Sequence, residues 1–170
     1  MKRKYFIVAS IAPLLLSLDQ VTKWLVMKNM SRGQTIPVIE NFLSWHYLVN
    51  TGAAFGTFRD LDEGFRNIFF FSVSLVALAV VVYYLVKTED KKVFFPVCLA
   101  LVISGAVGNL IDRFRFGHVV DFILVEATFL GRGAVEWLDR WFGTHLWPSF
   151  NLADSFIVAG IIGMAVELVF

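Results

Sequence analysis

The sequence predicts an all-α polytopic membrane protein with four transmembrane helices, and three observations predict it. Of its 170 residues, 58% are hydrophobic and only 17% are charged, against roughly 25% charged in ordinary soluble domains. Eighteen phenylalanines and a mean hydropathy of +0.70 exceed what the interior of so small a soluble fold can absorb, whereas lipid solvates the outside of a helix bundle. Four apolar stretches, at about 5–27, 67–86, 93–110 and 151–170, match the roughly 20 residues that cross about 30 Å of hydrocarbon as a helix. No repeat, low-complexity tract or linker interrupts the chain, so one domain over 1–170 is expected.

The first stretch follows Lys2, Arg3 and Lys4 and opens YFIVASIAPLLLSLDQ. A cleaved leader is disfavoured, because no small-x-small motif follows the apolar run and further spans come after it. The second, NIFFFSVSLVALAVVVYYLV, carries no charge, and the third, VFFPVCLALVISGAVGNL, is richer in small residues. The fourth is apolar apart from Asp154 near its start and Glu167 near its end. Spans two and three are joined by KTEDKK, too short for anything but an immediate reversal. Its lysines and the basic amino terminus mark two cytoplasmic tips by the positive-inside rule, so both termini are expected in the cytoplasm and loops of about 28–66 and 111–150 outside. All five tryptophans and all three histidines fall on that outer side, as an interfacial aromatic belt requires.

The outer loops carry their own periodicities. In SWHYLVN, Trp45, Tyr47 and Val49 alternate with Ser44, His46 and Leu48, which predicts a half-buried strand, with TIPVI before it as a partner. FGTFRDLDEGFR reads as a turn and a brief helix. In GAVEWLDRWF, Ala134, Val135, Trp137, Leu138, Trp141 and Phe142 form one broad helical face opposite Glu136, Asp139 and Arg140, the pattern of an amphipathic helix lying in the membrane interface.

A formal charge of +1 gives no basis for a nucleic-acid partner, and the single cysteine, Cys98, lies in an apolar run and reads as a small hydrophobe. No HExxH is present and the histidines are dispersed in loops, so neither a metal site, a serine–histidine dyad nor any cofactor is expected. Acids at membrane depth are the groups that need a reason, since each costs at least about 2.5 kcal/mol to insert. Asp19 and Lys23 are four apart on span one, carboxylate first, the favourable order for a pair on one helix face. Such a pair either anchors helix depth or braces a site. On span three, Gly105, Asn109 and Arg113 share a face, while Gly105 and Gly108 permit close helix approach. Asp112 lies on a different face and is expected to meet solvent or headgroups.

GHVVDF places Asp121 just beyond span three, and NLADSF places Asp154 in the first turn of span four, where Asn151 is expected as the N-cap. A first-turn aspartate is ordinary capping chemistry. Two aspartates that meet at the outer membrane edge are more: mutual repulsion keeps one proton between them near neutrality. The charged member then draws a proton from water while the neutral one donates to the carbonyl oxygen or leaving nitrogen. A small membrane transport or lipid-binding protein using the same acids is the alternative, although the polar groups cluster at one end and no inverted halves are apparent.

With these blocks in order, LDQVTK, LVNTGAAFG, GAVGNLIDR, GHVVDF and FNLADS, the chain resembles the bacterial lipoprotein signal peptidase family. The resemblance implies four membrane helices with an extracytoplasmic β-rich cradle and an interfacial helix. It also implies an aspartic peptidase of the bacterial inner membrane, working as a monomer, that cuts lipid-modified prolipoproteins on the amino side of the lipidated cysteine. By matching motif, Asp121 and Asp154 would be the catalytic pair, and Asn50, Asn109, Arg113 and Asn151 would line the site. Asp19 and Lys23 would support it, and Gly52 and Ala53 with Ala54 would leave backbone open to an extended peptide. Trp137 and Trp141, on the interfacial helix, either close over the bound peptide as a lid or form a passive interfacial belt. GRGAVEWLDRWFGTHLWPSF is longer than many members need, which leaves the pair intact and the lid geometry open.

Overall fold

Helices account for the apolar stretches in the computed structural model, which describes residues 2–52 and 63–169. In chain order these are α1 (Arg3–Asn29), β1 (Thr35–Ile39), β2 (Leu43–Asn50), α2 (Glu63–Lys87), α3 (Phe94–Phe116), β3 (Val119–Val125), α4 (Arg132–Phe142) and α5 (Leu152–Val169). Four of them, α1, α2 from Ile68, α3 and α5, are long and apolar enough to cross a membrane. Helix α3 continues past the apolar run ending at Leu110, through Asp112, Arg113 and Arg115, and stops where Gly117 takes a left-handed φ of 73° and its N–H bonds to Arg113 O, the αL ending that glycine permits. The segment expected as a turn and brief helix falls mostly outside the described residues, and α2 already begins at Glu63.

The chain forms two compact units. The first comprises Met1–Thr22, Thr51–Val119 and Leu152–Phe170, and holds the membrane-spanning helices. Its centre is α3, 67% of whose most apolar window is buried against 11% for each of the other three. The outer helices therefore turn most of their apolar surface outward, as lipid-facing helices do. The core joins Val8 and Ala12 of α1, Val81 and Leu85 of α2, and Phe95, Leu99, Ala100 and Val102 of α3.

Contact between α3 and α5 is close because glycines line it. A Cβ on Gly105 would overlap Ala153 O, one on Gly160 would lie 2.7 Å from Cys98 O, and one on Gly163 would lie 2.6 Å from Cys98 Sγ. Backbone approaches of this kind give membrane helices the dispersion contacts that hydrophobic exclusion does not supply there. At the end bearing KTEDKK, Lys4 is buried and its Nζ donates to Val86 O at 2.7 Å and Thr88 O at 2.6 Å, satisfying carbonyls at the end of α2. Lys92 pairs with Glu167 at 2.7 Å.

The second unit, Lys23–Asn50 and Val120–Asn151, carries the small sheet, in the order β1-β2-β3. TIPVI pairs antiparallel with LSWHYLVN, as expected, with Thr35 opposite His46 and a register irregularity between Pro37 and Ile39. Strand β1 is exposed throughout, an edge position that tolerates Pro37. The clean alternation expected for β2 is not what forms. Ser44 and Tyr47 are its buried residues and Trp45 is exposed, because Ser44 turns to Glu126 across the sheet (3.4 Å) and the irregularity in β1 lies opposite the start of β2. Bridges from Ile123 to Phe150 and from Glu126 to Leu146 fold the end of the unit back along β3. Helix α4 forms where expected, with Trp137, Trp141 and Phe142 exposed.

Candidate active site

Asp121 lies in β3, a strand buried over its first four residues. Alternation puts neighbouring side chains on opposite faces, and Trp45 of β2 packs its ring 5.8 Å from that of Phe122, next along the strand. The Asp121 carboxylate, 1% exposed, is held at both oxygens: Asn50 Nδ2 donates to Oδ2 and Asn151 Nδ2 to Oδ1, each at 2.7 Å. Asn50 is the last residue of β2, and Asn151 follows Phe150, whose carbonyl accepts from the N–H groups of Phe122 and Ile123. Backbone pairing thus delivers both amides to the carboxylate. Neutral donors orient an acid without neutralising it, which a lysine or arginine would do.

In the helical unit the same chemistry recurs around Asp154. It occupies the first turn of α5, where the helix end favours a negative charge, and Asn109 Nδ2 of α3 donates to its Oδ1 at 2.8 Å. Arg113, one turn on, donates from Nη1 to Asn109 O at 3.3 Å and lies 5.5 Å from the ring of Phe70 on α2, a cation–π distance. The N–H of Ala153, in the same first turn, is taken by Asp19 Oδ1 of α1 at 3.0 Å. At this helix end, where Asn151 was expected as the cap, a carboxylate from another helix takes a first-turn N–H, and the Asn151 amide donates to Asp121.

Asp19 is wholly buried, and so is Lys23 one turn further on. A Cβ on Gly108 would lie 2.5 Å from Asp19 Oδ2, so the glycine makes room for that carboxylate. Asp112 corrects an expectation. Instead of meeting solvent or headgroups it is 1% exposed, with Oδ1 accepting from Gln20 Nε2 at 3.1 Å. The partner that Asp112 meets there belongs to α1.

Gly52 has a φ of 92°, which favours glycine, and the space a Cβ would take is filled by the Phe70 ring. Ala53 and Ala54 lie outside the described residues. Sequence reasoning missed Gln20 and Phe70 as neighbours of the site. Gln20, an amide in an apolar helix beside Asp19, carried the stronger signal. Among the described residues no group of three His, Cys, Asp or Glu is placed to hold a metal ion.

Comparison with known proteins agrees with this architecture. The family model described as signal peptidase (SPase) II matches residues 11–170. The chain is 37% identical to the lipoprotein signal peptidase of Syntrophus aciditrophicus, covering 99% of this chain and 96% of that one, and 40% identical to that of Geobacter sulfurreducens, covering 99% and 95%. Two solved structures, described as bacterial membrane enzymes solved by the in meso method at 2.3 and 1.9 Å resolution, superpose with a TM-score of 0.77 each. They are 33% and 34% identical, with 99% of this chain and 92% and 97% of theirs covered.

Four helices long and apolar enough to span a membrane, aspartates held by side-chain amides, and these relatives define a multi-pass aspartic endopeptidase. The chain belongs to the signal peptidase II family, the lipoprotein signal peptidases of the bacterial inner membrane, and its reaction is the hydrolysis of signal peptides. Membership decides between the readings left open by the sequence, in favour of the peptidase over transport or lipid binding.

Proposed function

We propose that this chain, as one monomeric domain, releases the signal peptide of diacylglyceryl-modified prolipoproteins on the amino side of the lipidated cysteine, with Asp121 and Asp154 as the acid–base pair. The observation that carries the assignment is that each of these carboxylates is held by side-chain amides, Asp121 by Asn50 and Asn151 and Asp154 by Asn109. Pre-organised acids of this kind start the reaction in the right orientation. One deprotonated carboxylate takes a proton from water as its oxygen attacks the scissile carbonyl. The protonated partner donates to the developing oxyanion; as the C–N bond breaks, the proton taken from water passes to the leaving nitrogen and the partner regains its own as the carbonyl re-forms.

Arg113 and Asn109 serve as polar contacts for the peptide backbone, and Asp19 and Lys23 as support. The acyl chains stay in the bilayer against the outward faces of the helices, which confines the scissile bond to the depth of the aspartates. The site faces the extracytoplasmic side and both termini the cytoplasm. What supports this orientation is the placing of Lys2, Arg3, Lys4, Lys87, Lys91 and Lys92 at one end and of every tryptophan in or beside the opposite loops.

The test is cleavage by the purified protein of a diacylglyceryl-modified prolipoprotein beside its unmodified precursor. Release of the signal peptide from the modified protein alone is expected. Equal cleavage of both would remove the lipid from the recognition step.

A further inference from the structure

A polar knot in the helical unit lies beneath the catalytic turn. Gln20 of α1 points its Nε2 at three acceptors: Asp19 Oδ2 at 3.1 Å, Gly108 O at 3.3 Å and Asp112 Oδ1 at 3.1 Å. The orientation of the amide follows from chemistry, because its oxygen in that place would face two carboxylates and a carbonyl with no hydrogen to share. Asp19 and Asp112 are both buried, 0% and 1% exposed, and a neutral donor common to the two offsets repulsion that hydrocarbon does not screen.

Two routes lead from this amide to Asp154. Through Asp19 it reaches α5, since Asp19 Oδ1 accepts the N–H of Ala153, the residue before Asp154. Through Gly108 it reaches α3 one residue before Asn109, whose side chain donates to Asp154 Oδ1. A Cβ on Gly108 would lie 2.5 Å from Asp19 Oδ2, so a side chain there would displace the carboxylate that Gln20 holds. We propose that Gln20 is a positioning residue for the hydrolysis, tying Asp19 to Gly108 and Asp112 and thereby fixing the first turn of α5 and the Asn109 amide on Asp154. The inference rests on the reading of Asp154 as catalytic.

The amide touches none of the reacting atoms, so its loss acts on geometry at the chemical step and not on capture of the substrate. A small misplacement of a reacting group slows chemistry by roughly ten- to a hundredfold, whereas substrate affinity depends on contacts Gln20 does not make. The experiment compares kcat and KM of wild type, Gln20→Leu, Asp112→Leu, the double variant and Asp154→Asn on diacylglyceryl-modified prolipoprotein. All are assayed well below the melting temperature of each, with Gln20→Met added in case the leucine variant does not fold.

The expected result is a kcat about tenfold or more lower for Gln20→Leu or Gln20→Met, with KM within about twofold of wild type. The double variant is expected to lose less than the product of the two single losses, because residues acting through one network are not additive. An unchanged kcat in a folded Gln20 variant, a change confined to KM, or fully multiplicative losses overturns the positioning role. If Asp154→Asn is inactive while the Gln20 variants turn over normally, only this inference fails. If Asp154→Asn keeps wild-type turnover, the catalytic reading fails and this one with it.

Discussion

The Asp121 carboxylate accepts from Asn50 at one oxygen and from Asn151 at the other, each at 2.7 Å. Its motif, GHVVDF, marked it from the sequence, and the family places the chain among aspartic peptidases. Not legible was that both its oxygens would be held by amides brought from β2 and from the chain just before α5, since that depends on strand pairing over long separations. Asn151→Leu removes one donor and leaves Oδ1 without that partner. A hydrogen bond to a charged group is worth about 1.5–3 kcal/mol, so kcat is expected to fall by roughly ten- to a hundredfold in a folded protein. Steady-state kinetics beside a melting curve check this, and wild-type turnover would mean that Asn151 does not order the acid. Asp112 marks the opposite case. Helical spacing cannot say which neighbour covers a residue, and here Gln20 of α1 meets Asp112 where solvent or headgroups were expected.

At the scale of elements, helices announced themselves and strands did so only in part. Four long apolar runs leave little choice in lipid, where only a helix satisfies its own backbone, and the amphipathic pattern of α4 was equally plain. Strand β3 was missed because VVDFILV adjoins α3 without a turn signal other than Gly117 and reads as a continuous apolar run, which periodicity alone does not assign. Its buried character follows from that composition. The exposed Trp137 and Trp141 on α4, 56% and 70% exposed, are proposed as a lid over the bound peptide. Replacing both with leucine keeps the face apolar and removes the ring area and the indole N–H. Cleavage of the modified substrate is expected to slow several-fold if they close over it, while unchanged turnover would leave them a passive interfacial belt.

For the whole molecule, charge placement sets the predicted orientation in the membrane. A single cysteine at Thr144 or at Thr88, each in a Cys98→Ser background, puts a reporter in the α4–α5 connection or in the lysine-rich turn after α2. An impermeant maleimide applied to spheroplasts is expected to label position 144 and not 88; the reverse pattern would invert the topology. The proposed chemistry asks for two carboxylates drawn from distant parts of the chain, Asp121 in β3 and Asp154 in α5, to share one proton inventory. The most direct measurement is therefore the single-turnover rate of Asp121→Asn, Asp154→Asn and the double variant on diacylglyceryl-modified prolipoprotein, each shown by its melting curve to be folded. Each single change is expected to lower the rate by about a thousandfold or more, and the double variant to be little worse than either, as for groups acting as a unit. Near wild-type turnover by either single variant, or losses that multiply in the double, would contradict a shared aspartate pair.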